Sequence, residues 1–420
     1  MKAEANKRIK RYILFFFSLM LIMFIAGCHK APGVKINAPA SEEVEAFEKI
    51  QKNSIEIETP KRSYADMQLE IKVSDMMEQM TLQEKVAQMF IVDPESLVKG
   101  VDYVTMATDM TKEAVDRVPV GGVVYMSDNL KNTEQVKEML ENTKGYFIQR
   151  IGLPPFLCVD EEGGRIARIA NNNIFKVENV GSMTDIGKEN DYDNALEAGA
   201  MMGEYLSNLG FNLDFAPVVD VKESTPGSVL YRRTFSDDPY VVSDMADAVS
   251  KGLNSSGVLS VYKHFPGHGS TEGDPHIGNA VSDKTKEELF DYDLIPFKKG
   301  IDENVNIIMV GHISLPNVTG NDMPASVSKE IITDMLRDEL RYDGVVITDA
   351  MNMGAIKDNY SSGEAALMAV KAGADIVLMP ENFDEAYGGI LSAVKNGILS
   401  EDRIDESVSR IIRLKLDFIN

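Results

Sequence analysis

From residue 75 onward, apolar runs of strand length alternate with stretches whose apolar positions recur at helical spacing. The runs are 89–92, 122–126, 155–159, 212–219, 258–262, 305–310, 344–347 and 374–379. None alternates cleanly between apolar and polar residues, which is the pattern of parallel strands buried on both faces. Thr81-Leu-Gln-Glu84 has the form of a capping box and predicts a helix that reaches Gln88. An apolar stripe from Ala195 to Leu209 stops at Gly210, as helices that end in a left-handed glycine do. Residues 362–372 and 402–418 read as two more helices. Eight strand-like runs with helices between them predict an α/β fold, a single (β/α)8 TIM-like barrel with elaborated loops. A doubly wound sheet is the alternative. No Gly-x-Gly-x-x-Gly follows the first run, and glycine-rich segments are spread over many loops, which favours the barrel.

The N-terminal segment departs from this pattern. Lys2, Lys7, Arg8, Lys10 and Arg11 precede an apolar run over residues 12–26 that leads into Ile25-Ala-Gly-Cys28. The run is short for a membrane span, which takes about 20 apolar residues. A basic start, an apolar middle and small residues before the cleavage point make a secretory signal peptide. A cysteine directly after Ala-Gly resembles a bacterial lipoprotein box; a retained signal anchor is the alternative. The expected organisation is a signal peptide over 1–27, a membrane tether over 28–70 and a catalytic domain over 71–420. Pro32, Pro39, Pro60 and charged runs mark the tether. A diacylated Cys28 would carry two lipid chains, enough for stable anchoring, and would hold the protein outside the cytoplasm at the cell membrane.

Charge and cysteine content narrow the partners. The chain has a net charge of −23, and its basic leader masks part of the acidity of the remainder. Such a chain repels nucleic acid and anionic membrane, so its partners are neutral or held by local groups. Of the two cysteines, only Cys158 is left once Cys28 is lipidated, which excludes an intrachain disulfide. Cys158 lies in an apolar run and reads as a packed core thiol.

Chemistry collects where the runs end. Asp160-Glu-Glu-Gly-Gly-Arg165 follows the third run, Asp220 the fourth, Lys263-His264 the fifth, Gly311-His312 the sixth and Thr348-Asp349 the seventh. In a barrel these ends meet at one face, which is where active sites form. Asp349 is either an N-cap of the next helix or a carboxylate placed to attack an electrophilic carbon, as in a retaining glycosidase. Four of the five histidines, His264, His268, His276 and His312, fall close together. Asp274 and His276, two residues apart on a Gly- and Pro-rich loop, can pair so that the carboxylate orients the imidazole. Such an imidazole can protonate a leaving oxygen and then activate water. A zinc site is the competing reading. Pro266-Gly267 between His264 and His268 keeps one helix from presenting that pair, and no His-x-His opens the first strand, so no metal is expected. His268 and His312 read as loop-fixing residues. A buried Lys263 needs carboxylates around it. Asp160 suits a bidentate acceptor for two neighbouring hydroxyls, and Arg233 a donor to a hydroxyl or an acyl group.

Together these residues resemble glycoside hydrolase family 3, in its β-N-acetylglucosaminidase branch, from about residue 75 to the C-terminus. The matching segments are Asp160-Glu-Glu-Gly-Gly-Arg165, Asp214-Phe-Ala-Pro-Val-Val-Asp220, Arg233-Thr-Phe, Lys263-His-Phe-Pro-Gly-His-Gly269, Asp274-Pro-His276 and Val346-Ile-Thr-Asp-Ala-Met-Asn-Met353. The resemblance implies a retaining hydrolase that removes terminal β-linked N-acetylglucosamine, typically from cell-wall muropeptides. Asp349 matches the nucleophile and His276, paired with Asp274, the acid/base. Asp160, Arg233, Lys263 and His264 match residues that hold the cleaved sugar. Three positions depart from the family pattern. Ser270 and Pro275 stand where an Asp and a Ser are usual in the loop, and Ala350 follows the nucleophile in place of Asp or Ser. The end of the chain after its last helix resembles the single-domain form. No cofactor is implied, the partners are the saccharide substrate and the membrane, and a monomer is expected. Alternatives are a broader β-glycosidase, a phosphorylase of the same family, and a wall-binding lipoprotein without activity.

Overall fold

The computed structural model describes residues 64–271, 278 and 280–419; Cys28, Asp274 and His276 lie outside them. The chain enters through helix α1 (Tyr64–Gln79), whose Val73 is buried. This helix takes in residues 64–70, which the sequence pattern had placed in the tether. Glu70 there forms a two-pronged ion pair with Arg413, at 2.8 and 2.9 Å. Helix α2 (Leu82–Gln88) starts at the predicted capping box: the Thr81 hydroxyl accepts from the Glu84 N–H, and the Glu84 side chain accepts from the Thr81 N–H.

Nine short parallel strands follow, all with buried residues. They are β1 (Phe90–Val92), β2 (Gly122–Val124), β3 (Phe156–Val159), β4 (Leu213–Asp214), β5 (Leu259–Ser260), β6 (Tyr262–Phe265), β7 (Ile307–Val310), β8 (Val345–Thr348) and β9 (Val377–Leu378). One sheet runs β9-β1-β2-β3-β4-β5 and another β8-β7-β6. Two parallel bridges link them, Val218 with Lys263 and Ile347 with Ile376. At the second, the Thr348 N–H donates to Ile376 O and the Ile376 N–H to Val346 O, both at 3.0 Å. The result is a TIM-barrel-like α/β fold. The predicted run 212–219 narrows to Leu213–Asp214 and the bridge at Val218; Pro217 between them has no N–H to give to a ladder. The fifth run extends beyond its predicted end at Tyr262, so Lys263 and His264 lie inside β6 rather than past a strand end.

Helices pack around these strands. Helix α3 (Tyr192–Leu209) closes at Gly210 in the left-handed region. Helix α4 (Pro239–Ser255) lies against it so closely that a Cβ on Gly199 would meet Val249 O at 2.2 Å. Helix α5 (Ser362–Ala372) has its predicted bounds, and helix α6 (Glu401–Phe418) ends the described chain. From α6, the fully buried Lys415 donates to Gln88 Oε1 at 2.8 Å and to Gly121 O at 2.7 Å. Both acceptors precede the strands β1 and β2, so the ammonium sits at the opposite end of the sheet from Asp160 and Asp349. Cys158 is buried, and that burial pushes its thiol well up, as for a core residue.

Candidate active site

Side chains from β2, β6, β7 and β9 and from the loops after β3, β4 and β8 line one cleft of about 390 Å³. Asp160, Arg233, Lys263, His264 and Asp349 all face it. Residues 189 positions apart thus converge because parallel strands bring their C-terminal ends to one face. Met126, Met309, Met353 and Met379 supply much of the apolar wall.

Asp349 follows β8. The helix after it begins only at Gly354, with Met353 in the capping position, so Asp349 is not an N-cap. Its Oδ1 instead accepts from the neighbouring Ala350 N–H at 2.7 Å. Burial pushes the carboxyl up, but His264, His312, the Ala350 N–H and Lys263 outweigh it and hold it below its ordinary value. Asp349 is therefore a carboxylate at neutral pH. His312 braces the same turn. Its Nε2 donates to Ala350 O at 2.9 Å, and its Nδ1 lies 2.7 Å from the Ser326 hydroxyl.

The cations at the floor of the cleft are organised by Glu162, a residue for which the sequence suggested no role. Arg233 grips it with two bonds, Nε to Oε2 at 2.7 Å and an η nitrogen to Oε1 at 2.8 Å. Lys263 Nζ lies 2.7 Å from its Oε1 and 3.3 Å from Asp160 Oδ1. Burial would raise the Glu162 carboxyl, yet Arg233 and Lys263 hold it far below the usual carboxylate range. Arg168, also unassigned from the sequence, lies 3.6 Å from Asp160 Oδ2. Asp160 is thus shared between Lys263 and Arg168.

His264 is fixed by Asp220. Nδ1 of the ring lies 2.8 Å from Asp220 Oδ2, which makes it the donor, and the Nε2 edge is left for the cleft. Asp220 Oδ1 accepts from the backbone N–H groups of His264 at 3.3 Å and His268 at 2.6 Å. The Thr271 hydroxyl donates to His268 O at 2.9 Å, so His268 Nδ1 donates to that hydroxyl at 2.6 Å. Burial holds the His268 ring below its ordinary value, which keeps it neutral. The His268 ring thus fixes the Thr271 side chain, and the His312 ring the backbone at Ala350. The signal for Glu162 was available: two cations that must leave water together need more than the single carboxylate of Asp160. The role of Asp220 required knowing which carboxylate lies behind the His264 ring, a contact between residues 44 apart.

Residues 81–414 match the profile described as glycosyl hydrolase family 3 N terminal domain. Beta-hexosaminidase A of Pseudoalteromonas piscicida is 34% identical over 328 residues, which is 72% of this chain and 54% of that protein. Beta-hexosaminidase LpqI of Mycobacterium tuberculosis is 34% identical over 272 residues, 63% of this chain and 68% of its own length. Among solved structures, a glycoside hydrolase family 3 beta-N-acetylglucosaminidase from Paenibacillus sp. superposes with a TM-score of 0.75 at 32% identity, covering 81% of this chain and 63% of that one. The chain thus spans about half of the first of these relatives and under two thirds of the Paenibacillus chain.

Proposed function

The chain belongs to glycosyl hydrolase family 3, and on that premise we propose that it is a retaining exo-β-N-acetylglucosaminidase acting on N-acetylglucosamine-containing saccharides, cell-wall muropeptides among them. The observation that carries this reading is Asp349: an ionised carboxylate at a strand end, in one cleft with Asp160, Arg233, Lys263 and His264. The relatives' names, beta-hexosaminidase and beta-N-acetylglucosaminidase, support the sugar.

In this mechanism Asp349 attacks the anomeric carbon while the bond to the leaving oxygen breaks. His276, oriented by Asp274, gives its proton to that oxygen. It then takes a proton from water, whose oxygen attacks the same carbon and frees the Asp349 carboxylate. Asp160 accepts from sugar hydroxyls; Arg233, Lys263 and His264 hold the ring and its substituents. The fold is proposed to be a complete eight-stranded barrel, with β5 and β6 as two halves of one strand. The bridges at Val218 and Ile347 support that closure. We further propose that residues 1–27 are removed, that Cys28 is lipidated, and that the protein works as a monomer outside the cytoplasm. No helix among the described residues is long and apolar enough to cross a membrane.

Asp349→Ala tests the assignment. Turnover of an aryl β-N-acetylglucosaminide is expected to fall by roughly a thousandfold or more, while near wild-type rates would sink it.

A further inference from the structure

We infer that Arg165 is a specificity-determining residue that reads a carboxylate on the aglycone beside the cleaved sugar, an inference that rests on the glycosidase reading above. Arg165 is exposed and lines the cleft. It sits at the turn of a hairpin that leaves the end of β3, between the short strands Glu161–Gly163 and Ile166–Ala167. Gly163 and Gly164, at φ +84° and +54°, make that turn in a region open to glycine. The turn is held in place. The Gly164 N–H donates to Asn179 Oδ1 at 2.9 Å, and Gly164 O accepts from Asn171 at 2.9 Å and from Asn179 at 2.8 Å. The backbone that carries Arg165 is therefore fixed, and the freedom lost on binding is that of its side chain.

Charge accounting separates Arg165 from the other cations of the cleft. Lys263 faces Glu162 and Asp160, Arg233 faces Glu162, and Arg168 faces Asp160. Among the described residues Arg165 has no ion-pair partner. Among those residues its guanidinium donates to a carbonyl, Val229 O, at 3.4 Å. Arg233 donates to the same oxygen at 3.3 Å. The two guanidinium groups are therefore neighbours, one deep against the sugar site and the other at its mouth. In a chain with a net charge of −23, a cation at the cleft mouth that has no ion-pair partner among the described residues selects for an anionic group there. An exo-acting enzyme leaves no substrate beyond the terminal sugar, so the anion belongs to the aglycone.

Three substrates test this: N-acetylglucosaminyl-β-1,4-N-acetylmuramic acid, its methyl ester, and the same disaccharide with that carboxyl amidated by a short acidic peptide. The wild-type kcat/KM is expected to favour the free acid over the ester by roughly twofold to fivefold, in the range of a partly exposed ion pair. The ratio should shrink as salt is added. Arg165→Ala should bring it to about one, and Arg165→Glu should invert it. Preference for the acidic peptide conjugate alone, lost in the same variants, supports the inference and moves the carboxylate to the peptide. The inference is overturned if Arg165→Ala keeps the wild-type ratio, or if the wild type prefers neither anionic substrate to the ester. Failure of the wild type to cleave these substrates and an aryl β-N-acetylglucosaminide would overturn the glycosidase reading and this inference with it.

Discussion

Glu162 shows how one buried carboxylate sets the geometry of a site by holding its cations. It holds Arg233 and Lys263 at hydrogen-bond distance, and its carboxyl is kept ionised by both. Because its folded value is depressed, its stabilisation is present above the unfolded value of about 4.3 and is lost only in strong acid. Glu162→Gln would leave two buried cations short of a counter-charge. A loss of about 3 kcal/mol in urea unfolding is predicted, as for breaking a buried pair; an unchanged midpoint would contradict the role. That Asp160, Arg233, Lys263, His264 and Asp349 share one cleft was readable from the sequence, because each lies in or just after an apolar run or inside a distinctive motif. Glu162 and Asp220 were not assigned roles, because each acts through a long-range partner; Arg168, whose partner Asp160 is only eight residues away, was also left without one. Glu162 and Arg233 are 71 residues apart, and spacing along the chain carries no trace of that pair.

Among the elements, helices were more legible than strands. The capping box at Thr81, the glycine stop at Gly210 and the bounds Ser362–Ala372 follow from local chemistry. Strand ends depend on which neighbour supplies a ladder. The fourth run shortens at Pro217, and the fifth extends through Lys263 and His264 because β6 pairs with β7. Helix α6 adds a pH-dependent feature at the base of the sheet. Burial pulls the Lys415 ammonium down to about 7, while the unfolded chain keeps a lysine near 10.4. Between these values the unfolded state binds more protons, so stability rises with pH through that window. Between pH 7 and 8.5 the rise is predicted to approach about 1.4 kcal/mol per pH unit at most, and Lys415→Met should flatten it. Equal slopes in both proteins, measured by denaturant unfolding, would count against a depressed Lys415.

For the whole molecule, the alternation of buried runs and amphipathic helices made the α/β class readable at once. Joining two sheets through single bridges at Val218 and Ile347 could not be read, since those contacts depend on backbone twist. Helix α1 also extends the folded body upstream to Tyr64, past the boundary that composition suggested, because Glu70 meets Arg413 on the final helix. If Cys28 carries the proposed anchor, Cys28→Ala should move the protein from the membrane fraction to the soluble fraction; unchanged partitioning would argue against lipidation there. The central claim is that Asp349 forms a covalent bond to the sugar during turnover. Incubation with a fluorinated N-acetylglucosaminide that slows release, followed by peptide mass spectrometry, tests it most directly. One added glycosyl group is expected, on the peptide containing Asp349 and absent from Asp349→Ala. A label on another carboxylate, or rapid turnover with no adduct at any time, would contradict it.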